Sequence, residues 1–228
     1  MDQKTIHRTS EENKQLVLRT AARLFLQKGY TATTLRQIAK EAGVNIGSVM
    51  YLYESKENIL CDLVSFVMGG QFAETERLLA GKTEDMLLFW AAGTPLQLYI
   101  AESSECIREL YLAAYSHSKP ASLIYQYIAE KMQVYFKAYY PGYEFKDFYE
   151  LEIATGGIIR GFMSVPCDMY FTMQRKVKRY LETAFLVYKV PEPKIQEAIN
   201  FVSQIDFEAA APQVIEHLLA ALDKHMIG

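Results

Sequence analysis

The chain has 228 residues, 50% of them hydrophobic and 22% charged, enough apolar side chain for a sizeable core without disulfides or a structural metal. Its three cysteines, Cys61, Cys106 and Cys167, are odd in number and widely spaced, which excludes the disulfide framework of small secreted domains and fits a reducing, cytoplasmic setting. The net charge of −3 is unevenly placed: residues 1–60 hold nine Lys/Arg against six Asp/Glu and the remainder fifteen against twenty-one, so a basic head precedes an acidic body.

Residues 1–10 carry Lys4, His7 and Arg8 and lack the apolar core and cleavage site of a secretory signal. The longest apolar stretch, Met86 to Ile100, is interrupted by Gly93, Pro95 and Gln97 before it reaches bilayer length, so a cytoplasmic chain with no membrane partner is expected. Elsewhere apolar residues recur at the helical period with no run of alternating β-branched residues, which predicts an all-α fold. The first helix is predicted from Ser10, read as its N-cap, to Lys28, with Gly29 as a left-handed stop and Val17, Ala21, Leu24 and Phe25 as its apolar stripe. Thr34 and Gln37 have the spacing of a capping box and open a second helix that ends near Ala42-Gly43. Asn45 caps a short third helix to about Leu52, and Ser55 caps a long fourth one, with Glu57 in its first turn. Beyond Gly81 helices are predicted at 84–102, broken near Gly93-Thr94-Pro95, then at 103–117, 119–139, 145–164, 168–189, 194–204 and 206–226.

Two short helices that cross tightly need a small residue at the contact, a glycine in the turn and apolar inner faces. Ala39, Gly43 and the set Ile38, Ala42, Val44, Val49 and Leu52 meet those needs and describe a helix-turn-helix. The string Val17-Leu18, Ala21, Leu24-Phe25, Gly29-Tyr30, Thr34, Ile38-Ala39, Ala42-Gly43-Val44, Gly47-Ser48-Val49, Tyr53, Ser55-Lys56-Glu57 and Ile59-Leu60 resembles the DNA-binding signature of the tetracycline-repressor (TetR) family. The resemblance covers about residues 10–60. It implies a helix-turn-helix domain over 1–54 and a helical ligand-binding and dimerisation domain over 55–228.

As DNA contacts the resemblance implies Thr34, Arg36 and Gln37 at the start of the second helix, Asn45, Ile46, Gly47, Ser48 and Tyr51 on the recognition helix, and Lys56 after it. Thr34 and Lys56 suit phosphates and hence register, whereas Asn45 and Ser48 suit base edges or phosphates. The chain departs from the family pattern at Ile46, where a lysine or arginine is usual, and at Met50, where a tyrosine often touches phosphate. Ile46 can meet a thymine methyl instead, and Tyr51 can take over the phosphate contact. The partners so implied are a palindromic double-stranded operator, a second copy of the chain, and a small-molecule effector whose binding shifts the fourth helix, with Gly69-Gly70 as a candidate kink. The alternative reading is a helical small-molecule-binding protein with a weakened DNA-binding head.

The body is dense in aromatic residues. Phe89, Trp90, Tyr99, Tyr111, Tyr115, Tyr125 and Phe162, with Ser103 and Arg160 as polar groups, are the candidate lining of a largely apolar ligand site, although any one aromatic at helical spacing also suits a core. Arg160 lies in apolar text, which suits pairing with a buried carboxylate or an anionic ligand. Glu105, Arg108 and Glu109, and likewise Arg175, Lys176, Lys178 and Arg179, read as solvated helix faces. By the resemblance, two long helices of each subunit build a four-helix dimer interface; 145–164 and 168–189 are the candidates, with 206–226 a rival for the second. No nucleophile elbow, paired-histidine motif, Cys-x-x-Cys or phosphate-binding glycine loop occurs, so neither catalysis nor a metal or other cofactor is expected.

Overall fold

The computed structural model describes residues 9–137 and 139–224, which form eleven helices and no strand, the all-α fold expected from the periodicity. Lys4, His7 and Arg8, and the last two residues of the predicted 206–226 helix, lie outside the described residues. The head is α1 (Ser10–Lys28), α2 (Leu35–Ala42) and α3 (Ile46–Tyr53). The body follows as α4 (Lys56–Leu79), α5 (Met86–Glu102), α6 (Glu105–Ser116), α7 (Ser118–Tyr135), α8 (Phe145–Ser164), α9 (Met173–Val187), α10 (Glu192–Val202) and α11 (Phe207–Lys224). Among the described residues no helix is long and apolar enough to cross a membrane.

Local chemistry sets most helix ends. The cap of α1 is Thr9 rather than Ser10: the Thr9 hydroxyl accepts from the Glu12 amide at 3.2 Å, and the Glu12 carboxylate accepts from the Thr9 amide at 2.6 Å. Only the threonine has an acid three residues on, so the reciprocal box forms one step upstream. Gly29 ends α1 at φ 86°, ψ 157°, outside the left-handed helical well, and the chain leaves extended.

Two departures from expectation have tertiary causes. The helix α5 runs unbroken through Gly93-Thr94-Pro95. An interior proline costs about 3 kcal/mol in an isolated helix, but α5 is the central helix, with Leu87, Ala91, Ala92, Leu96, Leu98, Ile100 and Ala101 all buried, and that packing offsets the loss. The helix predicted from 168 begins only at Met173, because the Asp168 carboxylate accepts from the amides of Tyr170 and Phe171, both at 2.7 Å, and holds a turn there. Lys176 is not on a solvated face. It is fully buried, donates to the Glu102 carboxylate at 2.8 Å and to the Val165 carbonyl at 2.6 Å, and so ties the α8–α9 connection to the end of α5.

The helix α4 is continuous through Gly69-Gly70. A side chain at Gly70 would collide with Leu218, so that glycine allows α11 to approach closely. One apolar core runs from Val17, Phe25, Ile38 and Val49 in the head through Ile59 and Leu60 of α4 into the body.

Candidate nucleic-acid interface and ligand chambers

In the head, α2 and α3 cross at Ala39, which is 3% exposed. Gly43 takes the left-handed conformation (φ 63°, ψ 35°), which lets the Val44 amide turn back to the Ala39 carbonyl at 3.0 Å. Ile38, Ala42 and Val49 are buried beneath the crossing, as the spacing predicts. The lowest buried position belongs to Tyr53 rather than Leu52, and the Tyr53 hydroxyl donates to the Lys14 carbonyl at 3.1 Å, anchoring α3 to α1. With that side of α3 fixed, the opposite side faces solvent: Asn45, Ile46, Gly47 and Ser48 are exposed, as are Met50 and, at 85%, Tyr51. The Asn45 carboxamide oxygen accepts from the Gly47 amide at 2.7 Å, leaving its amide group outward.

Thr34, Arg36 and Gln37 are exposed at the start of α2. Thr34 and Gln37 form the expected capping box, with the Gln37 side chain accepting from the Thr34 amide at 2.8 Å. Arg36 makes no ion pair among the described residues. A cation, a helix N-terminus and the outer side of α3 are thus all open to solvent, the kinds of group from which phosphate contacts are built.

Lys56 is placed differently from the free phosphate contact expected of it. Its ammonium donates to the carbonyls of Tyr30 at 2.7 Å and Thr33 at 2.8 Å and lies 4.2 Å from the Tyr30 ring centroid. Burial lowers its pKa from the ordinary lysine value. In this arrangement it braces the α1–α2 turn from the start of α4. Glu109, expected on a solvated face, also reaches the head: it accepts from the Thr31 amide at 2.8 Å and lies over Gly29, where any Cβ would collide with it.

Two adjoining chambers, both partly open, lie among the helices. The first, about 100 Å³, is almost wholly apolar and lies between α1, α4, α5, α6, α7 and α11, among residues such as Leu26, Leu63, Val67, Ile107 and Leu218. The second, about 60 Å³, lies between α4, α5, α6, α7, α8 and α9, and carries Phe72, Phe89, Trp90, Thr94, Glu152 and Tyr180. Met68 lines both, as do the polar residues Gln71, Gln97 and Tyr115. These polar residues form a hydrogen-bonded partition in which the Gln71 amide donates to the Tyr111 hydroxyl, the Gln97 amide to the Gln71 carbonyl oxygen at 3.3 Å, and the Tyr115 hydroxyl to Gln97 at 3.3 Å.

Of the candidate ligand residues, Phe89, Trp90, Tyr111 and Tyr115 therefore meet at these chambers. Five do not line them. Tyr99 stacks on Phe207, Ser103 bonds back to the Ile100 carbonyl, Tyr125 packs beside Gly156 and Tyr149, and Phe162 packs on Phe171 and Tyr180. Arg160 is exposed and donates to the Ser116 hydroxyl at 2.9 Å, because its position on α8 points away from the apolar stripe of Phe148, Ile159 and Met163.

Residues that sequence reasoning missed are Gln71, Gln97 and Glu152, all buried. The signal existed: Gln97 stands between Leu96 and Leu98, and Glu152 shares a helical stripe with Phe148, Thr155 and Ile159, so each is a polar residue at a core position. Glu152 accepts from the Tyr188 hydroxyl, which in turn is 2.9 Å from that of Thr155. Burial pushes its pKa up to about 8, against the opposing pull of those hydroxyls.

Residues 17–63 match the model of the family described as bacterial regulatory proteins, tetR family. That segment is similar to the DNA-binding domain of the TetR family. The likeness in sequence to two relatives covers a third of the chain or less. An uncharacterized HTH-type transcriptional regulator of Bacillus subtilis (strain 168), YerO, is 35% identical over 74 residues, 31% of this chain and 26% of that protein. The HTH-type transcriptional regulator AcrR of Shigella flexneri is 35% identical over 54 residues, 24% of this chain and 25% of that protein. The matched segment thus spans only about a quarter of these relatives. The likeness in fold extends further: SmeT, the repressor of the Stenotrophomonas maltophilia multidrug efflux pump SmeDEF, superposes with a TM-score of 0.53 at 18% identity, covering 79% of this chain and 90% of SmeT.

Proposed function

We propose that this chain is a transcriptional repressor of the TetR type that binds a palindromic operator as a homodimer and is released by a small, largely apolar or aromatic molecule. In this reading residues 1–54 bind DNA and residues 55–228 sense the ligand and dimerise. The observation that carries it is the two-sidedness of α3. Val49 and Tyr53 are buried beneath it while Asn45, Ile46, Gly47, Ser48 and Tyr51 face outward beside Thr34, Arg36 and Gln37. That is the geometry of a helix offered to a major groove.

A two-fold operator requires a two-fold protein. Exposed Ile153, Val165, Met169, Tyr170 and Leu186 lie on α8, α9 and their connection, whereas α11 exposes no large hydrophobic residue among those described. Gly157 and Gly161 of α8 have no atom of another residue within 4 Å of where a Cβ would stand, which leaves a flat surface. These features favour α8 and α9 over α11 as the dimer helices.

A gel shift with DNA upstream of the chain's own gene tests the proposal: a specific complex must survive random competitor DNA at moderate salt, and failure to select any sequence refutes it. Ile46, Met50 and the inward-held Lys56 favour a second reading, a ligand-binding protein with a weakened head. Retained ligand binding without sequence selection is its expected result.

A further inference from the structure

Glu152 is 5% exposed, lines the second chamber, and has no cationic partner among the described residues. The titratable groups that face it from the surrounding helices are all tyrosines: Tyr115 of α6, Tyr125 of α7, Tyr180 of α9 and Tyr188 just beyond α9. From α5 the chamber is lined by groups that do not titrate, Trp90, Gln97 and Thr94 among them, and Thr94 bonds to Tyr180. Arg160, on the same helix, is exposed and turned to Ser116. A carboxyl buried without a counter-charge is costly to the fold and stands out as a functional group rather than a structural one. Beside it are the aromatic side chains of Phe72, Phe89 and Trp90, whose ring faces attract cations.

We propose that the second chamber is a cation site, in which Glu152 receives the ammonium group of an amphiphilic amine whose apolar part extends into the first chamber. The proposal rests on the sensor reading above and names its ligand class. Neither chamber alone, at about 60 and 100 Å³, reaches the roughly 150 Å³ that holds benzene. A ligand of useful size must therefore part the Gln71–Gln97–Tyr115 partition and occupy both, polar end against Glu152 and apolar end among Leu63, Val67 and Ile107. Near neutral pH the buried carboxyl is largely protonated, its pKa pushed up to about 8. The ammonium favours the carboxylate, so binding is R–NH₃⁺ plus Glu152–COOH giving the ion pair and one proton released to solvent.

The test uses three probes of one shape on the full-length protein: 4-phenylbutylamine, 4-phenylbutanol and 4-phenylbutanoate, titrated calorimetrically at pH 7 in buffers of different ionisation heat. The amine is expected to bind roughly thirtyfold or more tighter than the alcohol, the size of effect for a buried charge pair, and to release close to one proton. Glu152→Gln is expected to erase that preference. Proton release is read in the unmutated protein, so the test stands even if the variant fails to fold. Equal binding of amine and alcohol, tighter binding of the acid, or binding of the amine without proton release overturns the cation assignment and keeps the chambers as a ligand site. Failure of all three probes to bind overturns the assignment together with the sensor reading beneath it.

Discussion

Replacing Glu152 with glutamine should make the protein gain stability relative to the parent as pH rises. The carboxyl of the unfolded chain ionises near 4.5, whereas burial raises the folded value to about 8. Between those values the unfolded chain has released a proton that the native state still holds. Native stability therefore falls with rising pH in that window, by about 1.4 kcal/mol per pH unit, and the penalty is complete above the folded pKa. From pH 5 to pH 7 the group alone costs about 2–3 kcal/mol. Glutamine keeps the shape and an oxygen to accept from Tyr188, but has no proton to lose. Any fixed cost of its extra amide group cancels when the two proteins are compared across pH. Urea unfolding followed by circular dichroism at pH 5, 6 and 7 should thus show the variant gaining about 2–3 kcal/mol on the parent over that range. A difference constant within about 0.5 kcal/mol would mean that Glu152 ionises as if in water, and the reasoning fails.

Lys176→Met should lower stability by about 3 kcal/mol, because it removes a fully buried ammonium from Glu102 and from the Val165 carbonyl. A urea midpoint shifted at unchanged m-value is the expected readout. Lys56→Met should cost about 1–2 kcal/mol through its lost carbonyl bonds, while leaving the salt dependence of operator binding unchanged. A slope reduced by about one would instead mark Lys56 as a phosphate contact. Tyr51→Ala, at a residue 85% exposed, should leave stability within about 0.5 kcal/mol but weaken operator binding in a gel shift.

What was legible in the sequence was what neighbouring residues decide among themselves. The capping box of Thr34 and Gln37, the turn at Gly43, the caps at Asn45 and Ser55 and the span of α8 all depend on groups a few positions apart. The outward face of α3 followed from the same local logic, since its buried positions could be counted. Pro95 inside α5 was misjudged because its tolerance comes from seven buried neighbours on a helix packed on every side. Lys56 is expected at a DNA phosphate and Glu109 and Lys176 on solvated faces, yet each finds a partner at least 23 residues away, information that no local window holds. Aromatic content points equally to Phe89, Trp90, Tyr111 and Tyr115, which line the two chambers. Tyr99, Tyr125 and Phe162 share that content and differ only in which way their helices turn them.

The bond from the Thr31 amide to Glu109 crosses from the head to the body at 2.8 Å. An amide held in this way exchanges its hydrogen with solvent only when the acceptor withdraws, so its exchange rate measures how often α6 parts from the α1–α2 turn. A fragment ending after α3 would lack that acceptor and would also bare Ala22 and Leu26, which face the first chamber. In deuterated water, then, Thr31 is a built-in clock for contact between head and body, readable without DNA, without ligand and without any mutation.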